Sequence, residues 1–102
     1  MPRMTLATKL VLRVLLDAPG ELYGREIGVR AGLGAGTVQP ILDRIEQAGW
    51  AVSRRENADA HTIGRPVRRY WQLTPKGVTI SSYVATISNE AAAKTGTETE
   101  TP

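Results

Sequence analysis

The feature that most constrains the fold is a pair of helical patterns separated by only three residues, Gly32-Leu33-Gly34. The first pattern, over residues 24–31, places Ile27 and Ala31 on one face. The second, over residues 35–48, has its apolar side chains at helical spacing: Val38, Ile41, Leu42 and Ile45. Two helices joined by a short, glycine-containing turn are typical of a helix-turn-helix.

A hairpin is predicted directly after this unit. Residues 50–55 and 67–74 favour strands, and residues 57–66 between them favour a polar loop because they contain Asn, Asp, His, Gly and Pro. Trp50, Tyr70 and Trp71 are predicted to pack at the base of this hairpin. A helix-turn-helix followed by a long-looped hairpin indicates a wing.

The remaining segments complete the predicted order. Residues 5–17 predict an apolar helix capped by Thr5, and residues 21–23 a short extended piece. Thr74-Pro75 predicts the start of a last helix, with Thr as N-cap and Pro at the first helical position. We therefore expect an α+β, mostly α fold, a winged helix-turn-helix with one added C-terminal helix. The predicted division is a DNA-binding domain over 1–74, a dimerisation helix over 75–93 and a disordered tail over 94–102.

Positive charge is concentrated on the predicted hairpin. The net charge of the whole chain is +3. Positions 54 to 76 alone contain six basic residues and only two acidic ones, Glu56 and Asp59. The six are Arg54, Arg55, Arg65, Arg68, Arg69 and Lys76. Arginine suits phosphate because its planar fork donates two parallel hydrogen bonds. The hairpin is therefore predicted to bind double-stranded DNA.

Composition argues against other classes of protein. The chain has no Cys, which excludes disulfides and cysteine-based metal sites, and its one His, His61, is predicted to be solvent-exposed. No apolar run approaches the roughly 20 residues that a membrane span needs. We expect a cytoplasmic protein without cofactor, metal or membrane partner, and not an enzyme.

Three stretches resemble the PadR family of bacterial transcriptional regulators. They are residues 22–27 (LYGREI), 36–50 (GTVQPILDRIEQAGW) and 64–77 (GRPVRRYWQLTPKG). The chain departs from the family pattern at Gln39, where the family usually has Tyr, at Ala35, which is often Pro, and at Gly34, where a capping Ser is common. The resemblance implies a regulator that binds DNA through its third helix and its wing.

The predicted DNA-binding residues follow from these elements. Gln39 is the candidate for reading a base, because its amide can pair with the N6/N7 edge of adenine. Arg65, at the Gly-Arg-Pro turn, is predicted to enter the minor groove, and only one of Arg68 and Arg69 should face DNA, because side chains alternate along a strand. The full predicted set is Arg25, Ala35, Gly36, Thr37, Gln39, Pro40, Arg44, Arg65, Arg68 and Arg69.

The predicted function is sequence-specific transcriptional regulation, by a repressor that binds a palindromic operator as a homodimer. The predicted dimer interface consists of Leu6, Leu10, Ile80, Tyr83, Val84 and Ile87. A small-molecule effector of unknown class stays open. The alternative is a winged-helix module for protein contacts without specific DNA binding.

Overall fold

The computed structural model describes the backbone of residues 3–100 and the side chains of residues 3–87. The elements in chain order are α1 (Leu6–Asp17), β1 (Leu22–Tyr23), α2 (Gly24–Ala31), α3 (Ala35–Gln47), β2 (Ala51–Arg55), α4 (Ala60–Ile63), β3 (Arg69–Leu73) and α5 (Pro75–Glu100). This order confirms the predicted fold class, a mostly helical winged helix-turn-helix. Among the described residues, no helix is both long and apolar enough to cross a membrane.

The turn between α2 and α3 is tight because two positions, Gly32 at the end of α2 and Gly28 within it, do not tolerate a side chain. Gly32 ends α2 with a φ of 71°, in the left-handed region where a side chain would be strained. The Leu33 amide donates to the Gly28 carbonyl at 2.9 Å. A Cβ on Gly28 would lie 2.8 Å from the Leu33 carbonyl oxygen, so only glycine allows this close approach.

The three strands form one antiparallel sheet in the order β1-β3-β2. Tyr70 in the central strand is opposite Tyr23 on one side and Arg54 on the other, and Arg69 is opposite Arg55. The short extended piece predicted before α2 is thus β1, an edge strand of this three-stranded sheet.

The connection between β2 and β3 is more ordered than the predicted loop. It contains the short helix α4, whose first amides are capped by Asp59: the His61 amide donates to Asp59 Oδ1 at 3.0 Å. Gly64, at a φ of 73°, ends this helix and turns the chain back towards β3. The prediction of a continuous loop over residues 57–66 is therefore wrong for residues 60–63.

The core lies between the helices and one face of the sheet. Its centre is formed by side chains that are fully buried: Val11, Leu12, Ile27, Val38, Leu42, Ile45 and Trp71. Trp50 and Trp71 pack at the base of the hairpin as predicted. Tyr70 is instead half-buried on the opposite face of the sheet, because it alternates with Trp71 along β3.

The start of α5 packs against the segment between α3 and β2 and is hydrogen-bonded to it. Thr74 Oγ1 donates to the Gly49 carbonyl at 2.7 Å and accepts the Gly77 amide at 3.1 Å, which confirms Thr74 as the predicted N-cap. A Cβ on Gly77 would overlap the Trp50 carbonyl oxygen, so α5 packs directly against this backbone.

Helix α5 runs to Glu100, beyond the predicted end at residue 93. The predicted tail over 94–102 lies outside the residues whose side chains the structure describes, and the division at residue 93 stays a prediction.

Candidate nucleic-acid interface

The N-terminus of α3 is an exposed surface with little side-chain cover. Ala35, Gly36, Thr37, Gln39 and Pro40 are all exposed, while Val38 points into the core. The N-cap Gly34 makes no side-chain hydrogen bond to the helix, and the first turn has no acidic residue. The first amides of α3 are therefore accessible to an anion, and the positive end of the helix dipole favours one there.

Gln39 has a defined orientation on this surface. Its Nε2 donates to Asp43 Oδ1 at 2.9 Å, one turn further along α3. The amide retains a second N–H and its Oε1, which are the two groups that a bidentate contact with adenine requires. Asp43 therefore holds the Gln39 amide in place and leaves it able to read a base.

Pro40 lies inside α3, at its sixth residue. Since proline has no amide proton, the carbonyl of Gly36 receives no helical hydrogen bond from it. Pro40 thus removes one regular helical hydrogen bond from the first turns of α3.

The two helix arginines that were predicted to bind DNA, Arg25 and Arg44, lie in different parts of the surface. Arg25, at the start of α2, and Gln39 line the same open groove between α2 and α3. Arg44 lies in another depression, with Arg3 and Lys76 among its lining residues. The structure thus groups Arg25 with the N-terminus of α3 and separates Arg44 from it.

The hairpin has two chemically different faces. We call the face that carries Trp71, Arg69, Ser53 and Arg55 the α3 face, and the face that carries Tyr70, Arg68, Arg54 and Glu56 the outer face. On the α3 face, Arg69 Nη1 donates to Ser53 Oγ at 3.0 Å, and Ser53 Oγ donates to the Glu46 carboxylate on α3. This chain of contacts shows that Arg69 lies on the same side of the sheet as α3, whereas Arg68 lies on the other side.

Two tyrosine rings and two arginines stack across the outer face. The Arg68 guanidinium lies 3.9 Å from the centre of the Tyr23 ring, and Arg54 lies 5.0 Å from the centre of the Tyr70 ring. The two rings meet edge to face, with centres 6.0 Å apart. Arg54 also pairs with Glu21, at 2.7 Å from Nε to Oε2. Each cation of this row already has a partner within the protein.

A second group on the outer face surrounds one carboxylate. Arg65 donates from Nη1 and Nη2 to the two oxygens of Glu56, at 2.8 and 3.0 Å, and the Arg68 amide donates to Glu56 Oε1 at 3.3 Å. The Tyr70 hydroxyl lies 3.5 Å from Glu56 Oε2. We call these four residues the Glu56 cluster. The side chain of Glu56 is only 18% exposed and that of Arg65 35%.

This arrangement stabilises the charged form of both Glu56 and Arg65. The hydrogen bonds from Arg65, together with the backbone N–H of Arg68, lower the pKa of Glu56 from 4.5 to about 2, although partial burial acts in the opposite direction. The bond to Glu56 raises the pKa of Arg65. Arg65, the residue predicted to enter the minor groove, is thus paired in the structure. Glu56 was missed because its contact with Arg65 depends on how the loop folds back; the only sequence signal is an acidic residue at the end of a basic strand.

The predicted dimer residues lie on α1 and α5. Leu6, Tyr83 and Ile87 are exposed, at 73%, 67% and 46%. Leu10 and Val84 line a cleft of about 200 Å³ between the two helices, together with Leu6. Ile80 instead packs against the core. All six predicted residues therefore lie on one pair of helices, and three of them leave large apolar side chains exposed to solvent.

Known structures share this architecture, although no family model and no curated protein matches the sequence. A PadR family transcriptional regulator from Eggerthella lenta superposes with a TM-score of 0.73 at 22% identity, over 95% of this chain and 87% of that one. BpsR of Bordetella bronchiseptica, whose DNA binding is regulated by 6-hydroxynicotinic acid, superposes with a TM-score of 0.75 at 18% identity, over 93% of this chain and 68% of that one. ZitR of Lactococcus lactis gives 0.71 at 17% identity, over 90% of this chain, which spans 64% of the ZitR chain.

These identities are low, and what they establish is the fold. The elements that position the exposed end of α3 and the two-faced hairpin are the elements shared with these proteins. The chain therefore has the winged helix-turn-helix fold that is found in a PadR family transcriptional regulator.

Proposed function

We propose that this chain is a sequence-specific, DNA-binding transcriptional regulator of the PadR type, a repressor that binds a palindromic operator as a homodimer. The observation that carries the proposal is the composition of one side of the molecule. Helix α3 has an exposed N-terminus without an acidic first turn, and its C-terminal end contacts Arg69 through Ser53. Arg69 makes no direct ion pair with a carboxylate among the described residues.

The N-terminus of α3 supplies the major-groove contact of this proposal. Ala35 and Gly36 have no bulky side chain, so the helix backbone can approach a phosphate, and Thr37 can donate a hydroxyl proton to it. Gln39 reads a base from the next turn, oriented by Asp43. Arg25, across the groove between α2 and α3, binds a flanking phosphate.

The hairpin supplies the second contact. Arg55 and Arg69 are opposite each other in the sheet and both are exposed on the α3 face. Two adjacent cations at the end of a hairpin can neutralise neighbouring phosphates, which gives binding that weakens steeply with salt. This contact positions the protein on the duplex, while Gln39 supplies the sequence preference.

The homodimer follows from the apolar surface of α1 and α5. Leu6, Tyr83 and Ile87 are large apolar side chains that a monomer leaves in water, and burial against a second copy would remove this cost. A two-fold dimer presents two α3 helices, and these fit half-sites about one helical turn apart. In this proposal the protein acts in the cytoplasm as a binding protein rather than an enzyme.

Selection from a random DNA library with the purified chain tests the proposal. We expect enrichment of a palindrome and binding to it that falls linearly with salt on logarithmic axes. Gln39→Ala should change the selected sequence and leave the salt slope unchanged, whereas Gln47→Ala, at the other end of α3, should change neither. Weak, salt-independent binding without an enriched site would contradict the proposal and favour a module for protein contacts.

A further inference from the structure

The connection between β2 and β3 is long for a hairpin, spanning residues 56–68. A connection of this length is mobile unless contacts within the protein fix it, because fixing each residue costs conformational entropy. Its two ends are joined by the Glu56 cluster: Glu56 begins the segment, and Arg65 and Arg68 lie near its end. The Glu56 amide also donates to the Arg68 carbonyl at 2.7 Å, which extends the ladder by one pair.

We propose that Glu56 is the positioning residue of the wing, and that its pair with Arg65 stays closed when DNA is bound. The phosphate contacts of the hairpin then come from Arg55 and Arg69, not from Arg65. This inference rests on the proposed DNA binding and assigns its residues more narrowly than the sequence does.

Opening the pair between Glu56 and Arg65 would cost several contacts. Glu56 accepts both ends of the Arg65 fork and a backbone amide, and its side chain is mostly buried. If Arg65 turned to a phosphate, this carboxylate would lose its counter-charge in a partly buried site. Arg65 also donates to the Pro66 carbonyl at 3.2 Å, and this bond would be lost as well.

Two other arginines of the hairpin are more accessible to DNA than Arg65. Arg55 and Arg69 are exposed on the α3 face, and neither contacts a carboxylate in the part of the chain whose side chains are described. A phosphate can bind them without breaking an ion pair. The polyanion is therefore expected to bind these two residues, while the Glu56 cluster keeps their strands in register.

The test is a charge-neutral removal of the pair, Glu56→Gln with Arg65→Gln, studied by DNA binding across salt concentrations. Because a pair that stays closed releases no counterion, the double variant should keep the wild-type salt slope. It should lose part of its preference for the selected site over random DNA, since the wing is no longer fixed. The matched control is Asp17→Asn with Arg13→Gln, which removes an exposed ion pair on α1 and should change neither quantity.

A single change gives the opposite signature. Glu56→Gln releases Arg65, which can then bind one additional phosphate, so the slope should steepen by about 0.9 and binding to random DNA should tighten. Asp17→Asn makes the same change of charge on α1, outside the hairpin, and should not produce this effect.

Two results would overturn the inference. One is a double variant whose slope is shallower by about 0.9, because Arg65 would then be a phosphate contact in the wild type. The other is a double variant with wild-type preference, because Glu56 would then position nothing. If the double variant does not fold, nitrogen NMR of the Arg65 guanidinium in the wild-type protein decides: signals unchanged on DNA addition support the closed pair, and a large shift contradicts it. Absence of DNA binding by the wild-type protein would instead refute the proposed function itself, and this inference with it.

Discussion

The two faces of the hairpin carry similar numbers of arginines, but only the arginines of the outer face are paired with carboxylates or aromatic rings. On the outer face, Arg54, Arg65 and Arg68 are held by two carboxylates and two tyrosine rings. On the α3 face, Arg55 and Arg69 contact no carboxylate in the described part of the chain. A count of the arginines along the hairpin therefore overstates how many guanidinium groups are available to bind DNA.

The difference arises from simple strand geometry. Alternation along β2 sends Arg54 and Glu56 to one face and Arg55 to the other, so the acidic residue neutralises only its own side. Glu21, just before β1, adds a second carboxylate to that side through Arg54. The outer face becomes a network of paired charges that stiffens the wing. On the α3 face Glu46 binds Ser53, and Arg55 and Arg69 have no direct carboxylate partner in the described part of the chain.

The largest expected effect tests whether the faces also differ in burial. Trp71→Ala removes a side chain that is 1% exposed and should lower the free energy of unfolding by about 3–5 kcal/mol. Tyr70→Ala, one residue away on the outer face, removes a half-buried ring and its edge contact with Tyr23, and should cost about 1–2 kcal/mol. Urea unfolding followed by circular dichroism measures both. Equal losses would mean that the outer face is as much a part of the core as the α3 face.

Sequence reasoning predicted the elements that depend on local signals. The apolar spacing from Val38 to Ile45 gave α3, the glycines at 32 and 34 gave the turn, and Thr74-Pro75 gave the start of α5. It missed α4 because a four-residue helix has no periodicity to detect and depends on the Asp59 cap and Gly64.

The site could be predicted only in part, because the remaining facts depend on register and on contacts distant along the chain. Alternation alone indicated that Arg68 and Arg69 differ, but which of them lies on the side of α3 follows from the contact of Arg69 with Ser53, which donates to Glu46 on α3. The pair between Arg65 and Glu56 joins residues nine positions apart across a folded-back loop. No local pattern encodes such a contact.

The next effect tests the difference in availability of the two faces. Arg69→Gln should reduce the steepness of the salt dependence of DNA binding by about 0.9, because one phosphate contact is lost. Arg54→Gln removes the same charge from the outer face, where Glu21 already binds the guanidinium, and should leave the slope nearly unchanged. Fluorescence anisotropy with labelled DNA at several salt concentrations gives both slopes. If Arg54→Gln reduced the slope as much as Arg69→Gln, both faces would contact DNA and the contrast would fail.

The smallest expected effect is the loss of stability when Glu56 on the outer face is protonated, because solvent screens its ion pair with Arg65. The pKa of Glu56 is lowered from 4.5 to about 2 in the folded protein, so its ionised form stabilises the fold at neutral pH. This contribution is complete above pH 4.5 and is lost as the pH falls towards 2. We therefore expect wild type to be more stable than Glu56→Gln at pH 7 and the two to converge between pH 4.5 and 2. Urea unfolding at a series of pH values measures the difference, with Asp17→Asn as the control for losing one exposed carboxylate. A difference that stayed constant down to pH 2 would show that the contribution of Glu56 to stability does not depend on its charge, and that its pair with Arg65 does not stabilise the fold.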